Sequence, residues 1–257
     1  MLTPTLQAFQ RLLTIMDELR AQCPWDKEQT TESLRHLTIE ETYELSDAIL
    51  NGDNEEIKKE LGDILLHIVF YAKIGSEKKI FDMESVINQL CDKLIRRHPH
   101  IYADVVANDS NTVKQNWEQI KLKEKGENGL KSVLAGVPKS MPALVKAYRM
   151  QEKAAQVGFD WENKAQVWAK VEEELEEFKT ATTTKEREEE LGDLLFSLVN
   201  YARFDGINPD DALEQTNKKF IKRFTYIEQR AQQLQLDLKT IGLTQMDEWW
   251  NEAKAMK

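Results

Sequence analysis

The chain has 257 residues, 41% of them hydrophobic, which is enough for two ordinary domain cores. A formal charge of -10 argues against a sequence-independent grip on a nucleic acid polymer, because such binding rests on many Lys and Arg contacts to phosphate. The opening MLTPTLQAFQ lacks the features of an export signal and no apolar stretch approaches membrane-spanning length, so a cytoplasmic location without a membrane partner is expected.

Gly and Pro are scarce, helix formers are plentiful and β-branched alternation is absent, so the fold class is all-α. Helices are predicted over 4–22, 32–50, 54–75, 82–97 and 112–125, then over 140–156, 163–180, 185–205, 209–235 and 244–255. Start signals support several of them: Asp82, Ser140 with Pro142, Asn208 followed by Pro209, and Thr244 with Asp247 three residues on. The stretch 123–142 collects Gly126, Gly129, Gly136, Pro138 and Pro142 and reads as an interdomain connection. A boundary near 128 then divides the chain into domains 1–128 and 129–257. KKELGDILLHIVFYA (58–72) returns as EEELGDLLFSLVNYA (188–202), and other landmarks recur in the same order. PWD (24–26) answers FDW (159–161), Lys93 and Arg97 answer Lys219 and Arg223, and Trp117 with Lys121 answers Trp250 with Lys254. Two tandem helical bundles, a duplicated unit, are expected.

Upstream of each LGD run lies a glutamate cluster, Glu40, Glu41 and Glu44 in the first half and Glu173, Glu174 and Glu177 in the second. Residues three apart share a helix face, which pairs Glu41 with Glu44, Glu60 with Asp63, Glu174 with Glu177 and Glu190 with Asp193. In an antiparallel hairpin, residues equidistant from the turn lie level. Positions 41 with 63 and 44 with 60 both centre on Gly52, inside the turn signal NGD; 174 with 193 and 177 with 190 centre inside the helix-poor TATTT. Four carboxylates are therefore expected to converge twice.

Most EExxE patterns are solvated decoration, but Leu194, Phe196 and Val199 around Asp193 predict a largely buried aspartate. Two like charges at 4 Å repel by about 4 kcal/mol at an effective dielectric of 20, so such a cluster needs protons or a cation. Oxygen-only ligands suit Mg²⁺ first and Mn²⁺ second. A di-iron centre is the rival metal reading, since His67 shares the face of Asp63; the second half has Ser197 there and lacks the Glu-x-x-His pair. His36, His98 and His100 read as packing or surface residues. Cys23 and Cys91 read as reduced thiols. A partly hydrated Mg²⁺ commonly completes its shell with substrate phosphates, which call for cations nearby. Lys219 with Arg223 and Trp250 with Lys254, each pair four residues apart, suit that role, although singly they also suit a solvated face and a core anchor.

EExxE, a spacer and ExxD, together with CPWDKEQT, RRHPH and VGFDW, resemble MazG, the tandem-domain nucleoside triphosphate pyrophosphohydrolases of the all-α NTP pyrophosphatase superfamily. The resemblance covers essentially the whole chain. It implies a Mg²⁺-dependent enzyme that cuts NTPs and dNTPs between the α and β phosphates, releasing a nucleoside monophosphate and pyrophosphate. It also implies a homodimer, a role in controlling nucleotide pools and links to stress proteins, none of which these residues identify. Carried onto matching positions, the metal ligands are Glu174, Glu177, Glu190 and Asp193, with Glu173 beside the attacking water. Lys170, Lys219, Arg223 and Lys254 would meet the triphosphate, with Trp250 beside them. The first half keeps the metal pattern as Glu41, Glu44, Glu60 and Asp63, but Phe70 replaces Asn200, His67 replaces Ser197 and Leu37 stands in the place of Lys170. An amide inside an apolar helix needs partners, which a base or sugar supplies, so Asn200 is read as substrate-binding and the second half as the main catalytic domain. Two other readings remain open at this point: a non-enzymatic helical adaptor or regulatory protein, and a narrow pyrophosphatase for dUTP, dCTP or a phosphoribosyl nucleotide.

Overall fold

The computed structural model describes residues 3–103, 105, 109, 112, 113, 116, 117, 119–121, 124 and 132–256. Two compact units, Met1–Ile120 and Lys121–Lys257, are built from helices, with no strand among the described residues. The expected boundary near 128 lies outside the described residues, and the helix expected over 112–125 is described only in part.

In the first unit, Thr3 caps α1 (Pro4–Gln22) by accepting from the Leu6 N–H, and the short α2 (Pro24–Glu28) follows. Thr30 and Ser33 form a reciprocal capping box that opens α3 (Thr31–Asn51). That helix stops at Gly52, whose φ of 69° costs a residue with a side chain roughly 1–2 kcal/mol. Asp53 then accepts from the Glu55 and Glu56 N–H groups and starts α4 (Asn54–Glu77). So short a turn folds α3 back along α4, and the two pack as a hairpin. Helix α1 lies against α4, and the core between them holds Met16, Leu34, Val69, Phe70 and Ile74 with Phe9, Leu37, Leu66 and Tyr71 around it. After an Asp82–Ser85 capping box come α5 (Met83–Arg97) and α6 (Pro99–Tyr102).

The second unit repeats the plan. A 3₁₀ turn (Val133–Gly136) leads to α7 (Ala143–Ala155); α8 (Lys164–Thr180) and α9 (Thr184–Phe204) form the hairpin; α10 (Pro209–Gln233) and α11 (Leu243–Ala255) complete it. Asn163 caps α8, a Thr183–Glu186 capping box opens α9, and Asn208 with Pro209 opens α10. Helix α7 packs against α9 and α10, while Ile227, Ala231 and Trp249 bind α10 to α11. Two expected starts differ: α11 begins one residue before Thr244 with Gly242 at the cap position, and α7 begins after Pro142, neither with a side-chain cap. The short helices α2 and α6 are new, being too brief to show a period in sequence. Among the described residues no helix is long and apolar enough to cross a membrane.

Candidate active site

Each hairpin brings carboxylates level across two helices. In the second unit, one oxygen from each of Glu174, Glu177 and Glu190 lies within 4.8 Å of the others. That spread matches a single hard cation held by oxygens at about 2.1–2.5 Å. Glu174 is buried, Glu190 half-buried and Glu177 exposed. Burial, and then the charges of Glu177, Asp193 and Glu174, push the Glu190 carboxyl above its ordinary range. Lys170, one turn before Glu174, places Nζ 2.7 Å from both Glu173 and Glu174, and the pairing raises its own pKa.

Asp193 stands outside the close trio and is exposed, which corrects the expectation of a buried aspartate. Its face of α9 lines an open cavity instead of packing against a helix, so Asp193 keeps its hydration and Glu174 carries the deeper burial. The cavity has a volume of about 590 Å³, within the range of small-molecule sites. Met150, Gln151 and Ala154 line it from α7, Phe159, Asp160 and Trp161 from the following loop, and Val167, Lys170 and Glu174 from α8. Asp193, Phe196, Ser197, Asn200 and Arg203 complete the wall from α9. Arg203 pairs with Asp160 at 3.0 Å and also donates from Nε and Nη2 to Asn200 Oδ1 at 3.1 and 2.9 Å. The loop is thereby tied to α9, and the Asn200 carbonyl is engaged.

Lys219, Arg223, Trp250 and Lys254 are not among the cavity walls. They belong to the α10–α11 pair, where the Arg223 guanidinium lies over the Trp250 ring at 5.2 Å and Phe220 meets that ring edge-on at 5.2 Å. Lys219 and Lys254 are exposed one turn from these two residues. Residues unforeseen from sequence are Gln151, Phe196 and Arg203; Asp160 sits inside VGFDW, but a lone Gln on an amphipathic helix carries no signal.

In the first unit the close trio is Glu41, Glu60 and Asp63, with the exposed Glu44 outside it. Glu60 is 0% exposed; Oε1 accepts from Lys59 Nζ at 2.8 Å, while Oε2 is buried without a partner. Lys59 holds Glu60 below the ordinary carboxylate range, whereas burial and the neighbouring Asp63, Glu44 and Glu60 push Glu41 up. The repeat-equivalents of Val167, Lys170, Phe196, Ser197 and Asn200 are Leu34, Leu37, Leu66, His67 and Phe70. Four of these five are core side chains, and the buried His67 bonds through Nδ1 to Thr38 Oγ1 at 2.8 Å. The positions that wall a cavity in the second unit fill the core in the first.

Both trios present only oxygen donors, and the buried, partnerless Glu60 Oε2 is a ligand atom of the right kind, so the residues fit a hard divalent cation. An all-α chain with two carboxylate hairpins, one of them beside a small-molecule cavity, has the features of a helical enzyme whose acidic residues can hold a divalent ion. The chain belongs to the MazG nucleotide pyrophosphohydrolase family, whose domain matches twice, over residues 29–102 and 163–227. It is 44% identical over 248 residues to the nucleoside triphosphate pyrophosphohydrolase/pyrophosphatase MazG of Thermotoga maritima, covering 96% of this chain and 95% of that protein. It is 42% identical over 252 residues to the nucleoside triphosphate pyrophosphohydrolase of Escherichia coli K12, covering 95% and 96%. The uncharacterized protein YabN of Bacillus subtilis is 46% identical over 252 residues, 96% of this chain and 51% of that protein.

Proposed function

We propose that this chain hydrolyses nucleoside triphosphates between the α and β phosphates, and that the second unit carries the turnover. Glu174, Glu177, Glu190 and Asp193 would hold Mg²⁺, with Mn²⁺ as a substitute. Bound there, the ion supplies Lewis-acid stabilisation of charge on the phosphate oxygens. Glu173, exposed beside the trio, orients or deprotonates water, and its ion pair with Lys170 fixes its place. Lys170 bridges the carboxylates and the cavity, so exchanging one carboxylate partner brings its ammonium onto a phosphate. Asn200 meets the base or sugar. Lys219, Arg223 and Lys254 add cationic charge from the α10–α11 pair, with the Trp250 ring beneath the Arg223 guanidinium helping to hold it in place.

The observation that carries this reading is that Glu174 of the close trio, its ion-pair partner Lys170 and the neighbouring Asp193 all wall a cavity large enough for a nucleoside. In the first unit the matching trio adjoins a packed core, so Glu41, Glu44, Glu60 and Asp63 are assigned to metal binding with little turnover. Comparing Glu44→Ala with Glu177→Ala tests the assignment. Pyrophosphate release should collapse in the second variant and persist in the first; equal losses overturn the asymmetry. Products of diphosphate and phosphate instead of monophosphate and pyrophosphate would overturn the cleavage position.

A homodimer completes the proposal. Leu61, Leu65 and Ile68 on α4 and Leu191, Leu195 and Leu198 on α9 occupy repeat-equivalent positions, and each is at least 39% exposed. An apolar stripe of this kind along a helical hairpin is the surface another hairpin buries. Light scattering at the monomer mass would refute it. Action on the nucleotide pool places the protein in the cytoplasm.

A further inference from the structure

Among the polar side chains that line the cavity of the second unit outside the metal and phosphate roles, one has a buried atom without a hydrogen-bond partner. Gln151 on α7 is 7% exposed, and its Nε2 donates to the Phe196 carbonyl on α9 at 2.8 Å. Its other end, Oε1, is buried, belongs to a cavity-lining side chain and has no hydrogen-bond partner. The orientation of this amide is forced: the Phe196 carbonyl can only accept, so the NH₂ must face it and the oxygen must face away. A buried carbonyl oxygen left without a donor is costly, and a ligand N–H delivered to it recovers that cost.

Asn200 is fixed in the complementary sense. Its Oδ1 accepts from Arg203, which leaves its Nδ2 amide as the group with protons to donate to a ligand. Asn200 lies four residues beyond Phe196 on α9, about 6 Å along the helix axis and on the same face. The cavity wall thus carries the side chain of an unpartnered acceptor and that of a donor, between apolar and aromatic residues, with the acceptor atom itself just beneath the surface. We propose that Gln151 is a specificity-determining residue whose Oε1, brought to the cavity surface by a small side-chain rotation when substrate enters, accepts a hydrogen bond from an N–H on the edge of the substrate's nucleobase. Each ordinary base carries an N–H donor next to an acceptor, so a site of this kind admits purines and pyrimidines alike and rejects a base whose donor is missing. The inference rests on the nucleotide reading of the same cavity.

The test uses the full-length protein with Mg²⁺ and two substrate pairs that differ by one exocyclic amine: ATP against purine riboside triphosphate, and CTP against pyrimidin-2-one riboside triphosphate. The wild type should hydrolyse the amine-bearing member of each pair with a kcat/KM roughly 10- to 100-fold higher. In Gln151→Met, which keeps the side-chain length and removes the acceptor, that preference should fall to within about threefold. Equal treatment of both members by the wild type overturns the proposal, and so does a preference that survives in Gln151→Met. The wild-type comparison stands even if the variant folds poorly. Failure to hydrolyse any triphosphate sinks the nucleotide reading itself, whereas hydrolysis without discrimination sinks only the role of Gln151.

Discussion

Asn200→Phe would install in the second unit the ring that Phe70 carries at the equivalent position of the first. Phe70 is 3% exposed and packs with Met16, Leu34 and Ile74. At position 200 the same ring would occupy part of a cavity of about 590 Å³ walled by Phe159, Trp161 and Phe196, where a base would otherwise sit. Stacking a base on aromatic side chains contributes about 1–3 kcal/mol, and the hydrogen bond from the Asn200 amide about 1 kcal/mol more. Losing about 2–4 kcal/mol lowers kcat/KM roughly 30- to 900-fold, mainly through KM, because base binding is shared by ground and transition states. The assay is pyrophosphate release against triphosphate concentration, with melting followed by circular dichroism. Asn200→Ala keeps the space and loses the amide's hydrogen bonds, to Arg203 and to the base, so about fivefold is expected of it from the lost base contact. Magnesium should still raise the melting temperature of Asn200→Phe, since the carboxylates are untouched. A Phe variant within threefold of wild type, or an Ala variant as impaired as the Phe variant, would refute the reasoning.

Three further outcomes are expected. Phe70→Ala should destabilise the first unit by about 3–5 kcal/mol in urea unfolding, as a buried ring is replaced by a void; a loss under 1 kcal/mol would deny Phe70 its place in that core. Hydrogen bonds from the Thr183 and Thr182 N–H groups hold Glu186 down to about 2, so its stabilising effect is complete above the ordinary value of 4.5 and vanishes as pH falls through about 2. Glu186→Ala should therefore be less stable than wild type at pH 6, with a difference that fades between those two values; a pH-independent gap contradicts this. Glu190 is perturbed in the opposite sense, its raised pKa making the metal-free fold less stable as pH rises through that value. In EDTA at neutral pH, Glu190→Gln should melt above wild type and respond less to added Mg²⁺; an undiminished magnesium response separates Glu190 from the ion.

The level pairing of acidic side chains was legible because it depends on local rules. A period of 3.6 residues puts Glu174 and Glu177 on one face, a turn at residues 181–183 sets Glu190 opposite, and the Thr183–Glu186 capping box fixes where α9 begins. Asp193 shows where such reasoning stops. Its apolar sequence neighbours suggested burial, yet how deep a residue lies depends on what covers its helix face. Nothing within a few residues of Asp193 records that.

From the amino-acid order alone came the all-helical class, the duplicated plan and the acidic residues that share a face, since composition, repeat and helical period are local properties. Only tertiary packing decided that one carboxylate patch adjoins a cavity while its repeat adjoins a filled core. The residues responsible come from separate helices: Met16 on α1 against Leu34 and Phe70 in one unit, and Gln151 on α7 against Phe196 and Asn200 in the other. A void exists where side chains from distant segments fail to meet, and pairwise meetings over such separations leave no periodic trace along the chain.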